Sequence, residues 1–330
     1  MSKAVLFHNN GGPEELKLEE IAVRAPAQGE VKLRVEAMGL NRAELMYLGG
    51  YYLETAKLPS RIGYEIAGVV TAVGPDVDAS IIGQRFATVP GFSMNQYGCL
   101  GEEAVVPASR LARYPEKLSA AEGASVWMQY LTAYGALVRH GKVTTGDFVL
   151  ITAASSSVGI AAIQIVKAEG GIAIATTRKS DKRDALLAQG ADHVIVTEEE
   201  DLKARVDEIT GGQGARLVFD PVGGPYVEKL AEACAHSGTI FEYGALATEP
   251  TPFPLMLALG KSLRVQGYTL HEITVSPELL GPACDYVRER LEDGRFKVIL
   301  AKTFPFEQFQ QAYTYLASNQ QIGKVAITLS

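Results

Sequence analysis

GDFVLITAASSSVGIAAIQIVKAEGGIAIATTRKSDK, the stretch from Gly146 to Lys182, decides the fold of this chain. An apolar run at 148–152 precedes a turn of small residues, and residues 158–167 then carry apolar side chains at helical spacing. A second apolar run, at 172–175, follows a pair of glycines. The segment is therefore predicted to fold as strand, turn, helix, turn and strand, which is a βαβ unit of a parallel sheet.

The turn before the helix has the properties of an anion site. In a βαβ unit this turn lies at the carboxyl edge of the sheet, where backbone N–H groups and the helix dipole favour a negative charge. The turn keeps only the last glycine of the G-x-G-x-x-G pattern, but serine can cap the helix and donate to a phosphate. We interpret 154–159 as a modified pyrophosphate loop, the serine loop, with contacts from Ser155, Ser156, Ser157, Val158 and Gly159. An ordinary serine-rich helix cap in a ligand-free domain is the alternative.

The end of the second strand indicates which dinucleotide would bind. NAD-binding units carry Asp or Glu there for the ribose hydroxyls, whereas this chain has Thr177 and Arg178, followed closely by Lys182. A carboxylate would repel a 2′-phosphate, and these cations would bind it. The position predicts NADPH rather than NADH, and the alternative is the solvated basic start of a helix.

Composition sets the class of protein. A chain of 330 residues is long enough for two lobes, and its 47 % apolar and 21 % charged residues are typical of soluble globular proteins. A net charge of −7 argues against nucleic acid or an anionic membrane as a partner. Without a signal-peptide pattern or an apolar run of membrane-spanning length, a cytoplasmic protein is expected.

The order of the patterns predicts an α/β protein with two domains. Residues 1–122 contain short β-type runs separated by glycine and proline, which indicates a compact, mostly antiparallel, barrel-like lobe. From 123 to 270 strand and helix patterns alternate, as in a doubly wound parallel sheet. The remaining residues, 271–330, carry two helix patterns and a closing strand that are expected to complete the first lobe.

A series of local patterns resembles the medium-chain dehydrogenase/reductase superfamily, most closely the quinone oxidoreductase branch that includes zeta-crystallin. These patterns are GLNRAEL (39–45), GYEIAGVVTAVG (63–74), GCLGEEAVVPA (98–108), LTAYGAL (131–137), QGADHVI (189–195), FDPVGG (219–224) and GKVAITL (323–329). The resemblance covers nearly the whole chain. It implies a GroES-like β-barrel catalytic domain at 1–122, completed by 271–330, and a Rossmann NADPH-binding domain at 123–270.

The resemblance also predicts that no metal is used. Zinc members of the superfamily carry ligands where this chain has Asn41, Tyr64 and Met128. An amide, a phenol and a thioether are poor zinc ligands, and Glu65 alone does not hold a metal. Without a Lewis acid, reduction of a quinone or an α,β-unsaturated carbonyl is favoured over alcohol–ketone interconversion, because hydrogen-bond donors can stabilise the charge that develops.

Three residues are candidates for catalysis. Asn41 is implied to reach the nicotinamide ribose or the substrate carbonyl, although asparagine is also a common turn residue. Tyr52 can donate a proton to a developing enolate or quinol oxygen. Its neighbour Tyr51 could take that role, since this loop is one residue longer than in the family. The further alternative is that Tyr52 is a surface aromatic residue without a catalytic role. Tyr64 is expected to face the substrate as a wall or second donor.

The remaining candidates concern the cofactor. The resemblance implies that Thr132 lies beside the nicotinamide ring and that Lys324, in the closing motif, contacts the cofactor. Glycines that follow strands, with the residues next to them, are expected at the carboxyl edge, where the backbone approaches a dinucleotide closely. These positions are Gly223, Gly244, Ala245 and Leu246.

The predicted function is hydride transfer from NADPH to a quinone or enone without metal, with a proton from a tyrosine or water. An enoyl-thioester reductase and a catalytically idle NADPH-binding protein, crystallin-like or regulatory, are the alternatives. The run SLRVQGYTL (262–270) is the last strand pattern of the alternating segment and follows the apolar PTPFPLMLALG (250–260). Because apolar sheet edges are rarely left unpaired, a homodimer joined through 250–270 is expected.

Overall fold

The computed structural model describes residues 1–329 and has the α/β architecture that the sequence predicts. The strands are β1 Ser2–Phe7, β2 Leu16–Ile21, β3 Glu30–Gly39, β4 Ser60–Arg61, β5 Glu65–Val73, β6 Arg85–Thr88, β7 Glu103–Pro107, β8 Leu111–Ala112, β9 Phe148–Ile151, β10 Ile172–Thr177, β11 His193–Val196, β12 Ala215–Asp220, β13 Cys234–Glu242, β14 Arg264–Gly267, β15 Leu300–Pro305 and β16 Lys324–Thr328. The helices are α1 Arg42–Leu48, α2 Met94–Tyr97, α3 Ala120–Gly123, α4 Trp127–Tyr134, α5 Ser157–Ala168, α6 Arg183–Ala188, α7 Leu202–Thr210, α8 Tyr226–Ala233, α9 Leu255–Lys261, α10 His271–Thr274, α11 Pro277–Glu292 and α12 Phe309–Ala317.

The chain divides into two compact units. The first unit consists of Met1–Met128, Thr274–Glu292 and Val298–Ser330, and the second of Gln129–Ile273 and Asp293–Lys297. Residues from the C-terminal part of the chain therefore belong to the first unit.

The first unit is built mainly from antiparallel strands. One sheet has the order β15-β16-β3-β5-β6-β8, with β7 also paired to β3, and a smaller sheet has the order β2-β1-β4. The pair β15–β16 is parallel, and the other pairs of these sheets are antiparallel. Alternate residues of β3, among them Val31, Leu33 and Val35, are buried in the core, which is the period of two expected of a strand.

The second unit contains a parallel sheet with the order β11-β10-β9-β12-β13-β14. The chain enters at β9 in the middle, moves outward to β11, and then crosses back to build the other half from β12 to β14. This reversal creates a topological switch point between β9 and β12, where open α/β sheets bind their ligands. The doubly wound Rossmann prediction is confirmed.

Two element boundaries differ from the sequence patterns. The predicted strand run 102–114 is broken after Pro107 by a 3₁₀ turn at Ala108–Arg110, because proline has no N–H with which to continue a ladder. Residues 225–236 have a helical pattern, but the helix ends at Ala233, since Cys234 already pairs with Ala215 of the neighbouring strand. In the second case strand pairing overrides the local helical pattern.

The helices that cover the sheets are short and amphipathic. In α11 the buried residues Ala283, Val287 and Leu291 recur every four positions, so one face of the helix packs on the first unit. The helix predicted at 127–140 consists of α4 followed by a π-helical turn at Gly135–His140. None of the helices within residues 1–329 combines the length and the apolarity that a membrane crossing requires.

Candidate functional site

The serine loop of the second unit has the local geometry that the sequence predicts. Ser156 is the N-cap of α5, and its hydroxyl accepts a hydrogen bond from the Gly159 N–H at 3.0 Å. A Cβ on Gly159 would lie 2.6 Å from Ala154, so only glycine lets the helix pack this close to the turn. The loop thus presents the hydroxyls of Ser155 and Ser157 at a helix N-terminus, where an anion is favoured.

Cations border this loop. The Lys182 ammonium donates to the Ser155 hydroxyl at 3.2 Å. Burial lowers the pKa of Lys182 from its ordinary value, and the nearby charge of Arg178 acts in the same direction while that of Asp181 opposes it. Arg178 is exposed, directly after β10, and pairs with no carboxylate in residues 1–329. Arg183, in contrast, is neutralised by Glu200.

Two glycine loops lie side by side at the carboxyl edge of the same sheet. Gly223 has φ of 65°, which favours glycine. A Cβ on Gly244 would lie 2.8 Å from the Pro221 carbonyl oxygen, and the Leu246 N–H donates to that oxygen at 3.0 Å. Ala245 and Leu246 are exposed beyond this contact. The predicted positions are therefore placed at the edge where a dinucleotide would lie.

An acidic pair stands beneath these loops, and sequence reasoning missed it. Asp220 ends β12 and Glu242 ends β13, and the two are paired in register. Asp220 is fully buried and accepts hydrogen bonds from the Thr152 hydroxyl and, at 2.7 Å, from the Gly223 N–H. Burial raises the pKa of Asp220, and burial together with the Asp220 charge raises the pKa of Glu242 to about 8. Acids at the ends of adjacent parallel strands are the signal that could have revealed the pair.

The Asp220–Glu242 pair predicts a specific dependence of stability on pH. Because the pKa of Glu242 rises from 4.5 to about 8 on folding, the folded state holds a proton in that window that the unfolded chain has lost. The free energy of unfolding should therefore fall as pH rises from 4.5 to about 8, and then level off. Tyr226 and Tyr243 also face this pair, but burial and the Asp220 charge raise their pKa values, so they stay neutral in that window.

Glu242→Gln keeps the shape of the side chain and removes the titration. In denaturant unfolding across this pH window, the variant should lose less stability with rising pH than the unsubstituted protein does. Glu228→Gln, on the exposed face of α8, is the matched control and should keep the original slope. Parallel curves of stability against pH for Glu242→Gln and the unsubstituted protein would contradict the raised pKa of Glu242.

In the first unit, Asn41 is the N-cap of α1 and is 6 % exposed. Its backbone N–H donates to Glu44 Oε2 at 3.2 Å. Its amide nitrogen lies 3.1 Å from the Gly39 carbonyl oxygen, 3.2 Å from Glu44 Oε1 and 3.1 Å from Glu65 Oε2. The amide hydrogens of Asn41 thus have protein acceptors next to the turn before α1.

Lys324 forms a buried ion pair with Glu65, at 2.5 Å between Nζ and Oε2, and also donates to Asn41 Oδ1 at 2.7 Å. Both charged side chains are 1 % exposed. The other Glu65 oxygen accepts the Met128 N–H at 2.8 Å. Lys324, expected to contact a cofactor, is thus held by partners inside the first unit. Among residues 1–329, no group of three or more His, Cys, Asp or Glu side chains could hold a metal ion.

Glu44 is a second buried acid that the sequence reading did not single out. It is fully buried and accepts the Tyr313 hydroxyl at 2.7 Å and the Tyr64 N–H at 3.1 Å. Burial raises the pKa of Glu44, and the hydrogen bonds from Tyr313 and Asn41 oppose that shift. Glu44 thereby ties helix α1 to Tyr64, the residue directly before β5.

Tyr52 and Tyr64 form a pair of neighbouring phenols. Their ring centroids are 6.5 Å apart, with the rings edge-on at 63°. Burial raises the pKa of both, so both stay protonated at neutral pH. Tyr64 is 1 % exposed and also packs on Phe92. Only Tyr52 of the pair is accessible.

Two further candidates have contrasting surroundings. Tyr51 is 65 % exposed, and its ring covers Gly49, where a Cβ would lie 2.3 Å from a ring carbon. Thr132 is 6 % exposed, on α4. The structure therefore brings Asn41, Tyr52, Tyr64 and Lys324 into one network of the first unit. It places the serine loop, Thr177, Arg178, Lys182 and the two glycine loops at one edge of the second.

Two family models match the chain. The model described as "Alcohol dehydrogenase GroES-like domain" matches residues 27–116, and the one described as "Zinc-binding dehydrogenase" matches 157–281. Among curated proteins, the 2-haloacrylate reductase of a Burkholderia species is 28 % identical, over 99 % of either chain.

Solved structures are also similar over the whole chain. The Escherichia coli quinone oxidoreductase complexed with NADPH superposes with a TM-score of 0.90 and 29 % identity, covering 99 % of each chain. A structure described as an NAD-dependent alcohol dehydrogenase superposes with a TM-score of 0.89 and 30 % identity, covering 99 % of this chain and 100 % of the other.

Proposed function

Because this chain belongs to the medium-chain dehydrogenase/reductase superfamily, within its quinone oxidoreductase branch, we propose that it is an NADPH-dependent oxidoreductase. It reduces a quinone or an α,β-unsaturated carbonyl without a metal ion. The observation that carries this proposal is the serine loop bordered by Arg178 and Lys182 at the carboxyl edge of a doubly wound sheet.

The residues at this edge fit NADPH. Hydroxyls of the serine loop and the N-terminus of α5 suit a pyrophosphate, and Arg178 and Lys182 suit the 2′-phosphate. The backbones of Gly223 and Gly244 admit the close approach of a nicotinamide nucleotide. When bound, NADPH supplies a hydride from its nicotinamide ring.

Tyr52 is the proton donor. It is accessible, protonated at neutral pH and packed edge-on against the ring of Tyr64. As negative charge develops on the substrate oxygen, the Tyr52 hydroxyl donates to it, and the Tyr64 hydroxyl stabilises the phenolate that forms. We assign Asn41, Glu44 and Lys324 to positioning, because their polar atoms hold one another and the backbone around Tyr64.

The donor set of the first unit supports chemistry without zinc. Asn41, Tyr64 and Met128 replace the family's ligands by groups that bind zinc poorly. The one remaining carboxylate, Glu65, is already neutralised by the Lys324 ammonium. A metal placed there would have to displace this buried cation.

Substrate-dependent consumption of NADPH by the purified protein tests this function. Benzoquinone or an enone should be reduced at saturable rates. Faster turnover of crotonyl-coenzyme A would indicate an enoyl-thioester reductase instead. Tight NADPH binding with no consumption by any acceptor would indicate the idle binding protein.

The second unit also supports the homodimer proposed through 250–270. Strand β14 pairs with β13 and ends the sheet. Helix α9, just before it, exposes apolar side chains, with Leu255 54 %, Met256 77 % and Leu259 68 % exposed. Neighbouring apolar exposure on this scale is typical of a surface that another chain covers.

Light scattering should give a mass of about twice the 35.4 kDa chain at low micromolar concentration. Met256→Glu with Leu259→Glu should shift the protein to monomer, because paired interfaces would have to bury like charges. Leu187→Glu, at a 43 % exposed position of α6, is the matched control and should stay dimeric. A monomeric mass for the unsubstituted protein would contradict this assembly.

A further inference from the structure

The first unit contains a pocket of about 440 Å³ that has no part in the chemistry proposed above. It lies between β6, the turn at Ala108–Arg110 and the start of α11. Its apolar wall includes Phe86, Leu111 and Leu280. None of the residues assigned to NADPH or to proton transfer lines it, and its size is that of a small-molecule site.

Two buried hydrogen-bond donors belong to the wall of this pocket. Trp127 and Thr274 both line it, and each is 1 % exposed. Within residues 1–329, neither the Trp127 indole N–H nor the Thr274 hydroxyl has a hydrogen-bond partner. An unpaired buried donor costs free energy, which makes each of them a candidate partner for an acceptor.

A guanidinium stands beside these donors. Arg110 donates to the Thr274 carbonyl oxygen but pairs with no carboxylate in the described chain. A Cβ on Gly91 would lie 2.4 Å from the Thr274 hydroxyl oxygen and 3.6 Å from the Arg110 guanidinium carbon. The Thr274 hydroxyl and the Arg110 guanidinium are therefore neighbours, and both lie against Gly91.

The rest of the lining leaves the pocket positive. Arg113 covers the Phe86 ring at 4.7 Å and also has no carboxylate partner. The Asp285 carboxylate on the opposite wall is paired with Arg288 at 2.8 Å. Cations thus exceed carboxylates here, although the chain as a whole carries a net charge of −7.

We propose that this pocket binds a small carboxylate with an apolar body. The two oxygens of a carboxylate match the planar donors of Arg110, and the Thr274 hydroxyl is a neighbouring donor. The apolar body lies against Phe86, Trp127 and Leu280. A neutral ligand would leave Arg110 without a counter-charge, and a fully polar anion would leave the apolar wall uncovered.

Trp127 makes the proposal measurable, because it is the only tryptophan of the chain. Tryptophan fluorescence of the cofactor-free protein should change saturably on titration with hexanoate. Hexanamide, which has the same shape without the charge, should bind about tenfold more weakly or worse. The titration needs neither NADPH nor turnover, so its failure would leave the proposed oxidoreductase function untouched.

Substitutions then locate the carboxylate. Arg110→Gln should weaken hexanoate by about tenfold or more, and Thr274→Val, which conserves shape, should weaken it severalfold. Arg85→Gln, at a 69 % exposed side chain just outside the pocket, is the control and should bind as the unsubstituted protein does. Circular dichroism checks that each variant is folded. The proposal is overturned if hexanoate gives no saturable change, if hexanamide binds equally well, or if a folded Arg110→Gln or Thr274→Val keeps full affinity.

Discussion

Tyr52→Phe should lower the turnover number for quinone or enone reduction by about 10²-fold or more. The substitution removes the only accessible proton donor of the Tyr52–Tyr64 pair and keeps the ring that packs on the core. The affinity for NADPH should not change, because Tyr52 belongs to the first unit and the phosphate-binding residues to the second. Steady-state kinetics and a separate binding titration check the two parts.

Tyr51→Phe is the matched control for this prediction. Tyr51 is 65 % exposed and lies next to Tyr52 in the same loop, so its loss should leave turnover nearly unchanged. Tyr64→Phe should give a smaller loss than Tyr52→Phe and shift the alkaline limb of the pH profile upward, because the Tyr52 phenolate would lose its donor. A large loss in Tyr51→Phe with normal Tyr52→Phe would exchange the roles of the two.

Arg178→Ala combined with Lys182→Ala should weaken NADPH by about hundredfold while NADH loses little. Each charge-assisted contact to a phosphate contributes about 1.5–3 kcal/mol, which is roughly tenfold or more per residue. NADH lacks the 2′-phosphate and so cannot lose these contacts. Calorimetric titration of both cofactors measures the two dissociation constants directly.

Arg183→Ala provides the control for the cofactor prediction. Arg183 is also basic and close in sequence, but Glu200 already neutralises it, so its loss should affect both cofactors only slightly. If the double variant lost affinity for NADPH and NADH equally, the 2′-phosphate would have no part in the selectivity.

The fold was predictable where local pattern and tertiary packing agree. From Gly146 to Lys182 the apolar spacing, the serine cap and the glycine break each indicate the same βαβ unit, and the structure has β9, α5 and β10 there. The role of Ser156 as a cap could also be predicted, because its partner Gly159 is three residues away. Contacts between residues a few positions apart can be predicted from a short stretch of sequence.

The site was less predictable, because its partners are distant in sequence. Lys324 is 283 residues from Asn41 and 259 from Glu65. No local pattern could therefore show that its ammonium binds these two side chains. The Asp220–Glu242 pair likewise depends on the register of two neighbouring strands. Resemblance identified the positions of Asn41 and Lys324, but only the structure shows what their side chains contact.

The most direct test of metal-free hydride transfer traces the hydrogen atom that passes from NADPH to the product. The protein, pretreated with a zinc chelator, is given cyclohexenone and NADPH that carries deuterium at the transferable C4 position, and the product is examined by NMR. The account predicts saturated ketone with one deuterium at the β-carbon, formed at the same rate with or without the chelator. Product without deuterium, or a rate abolished by the chelator and restored by zinc, would contradict metal-free hydride transfer.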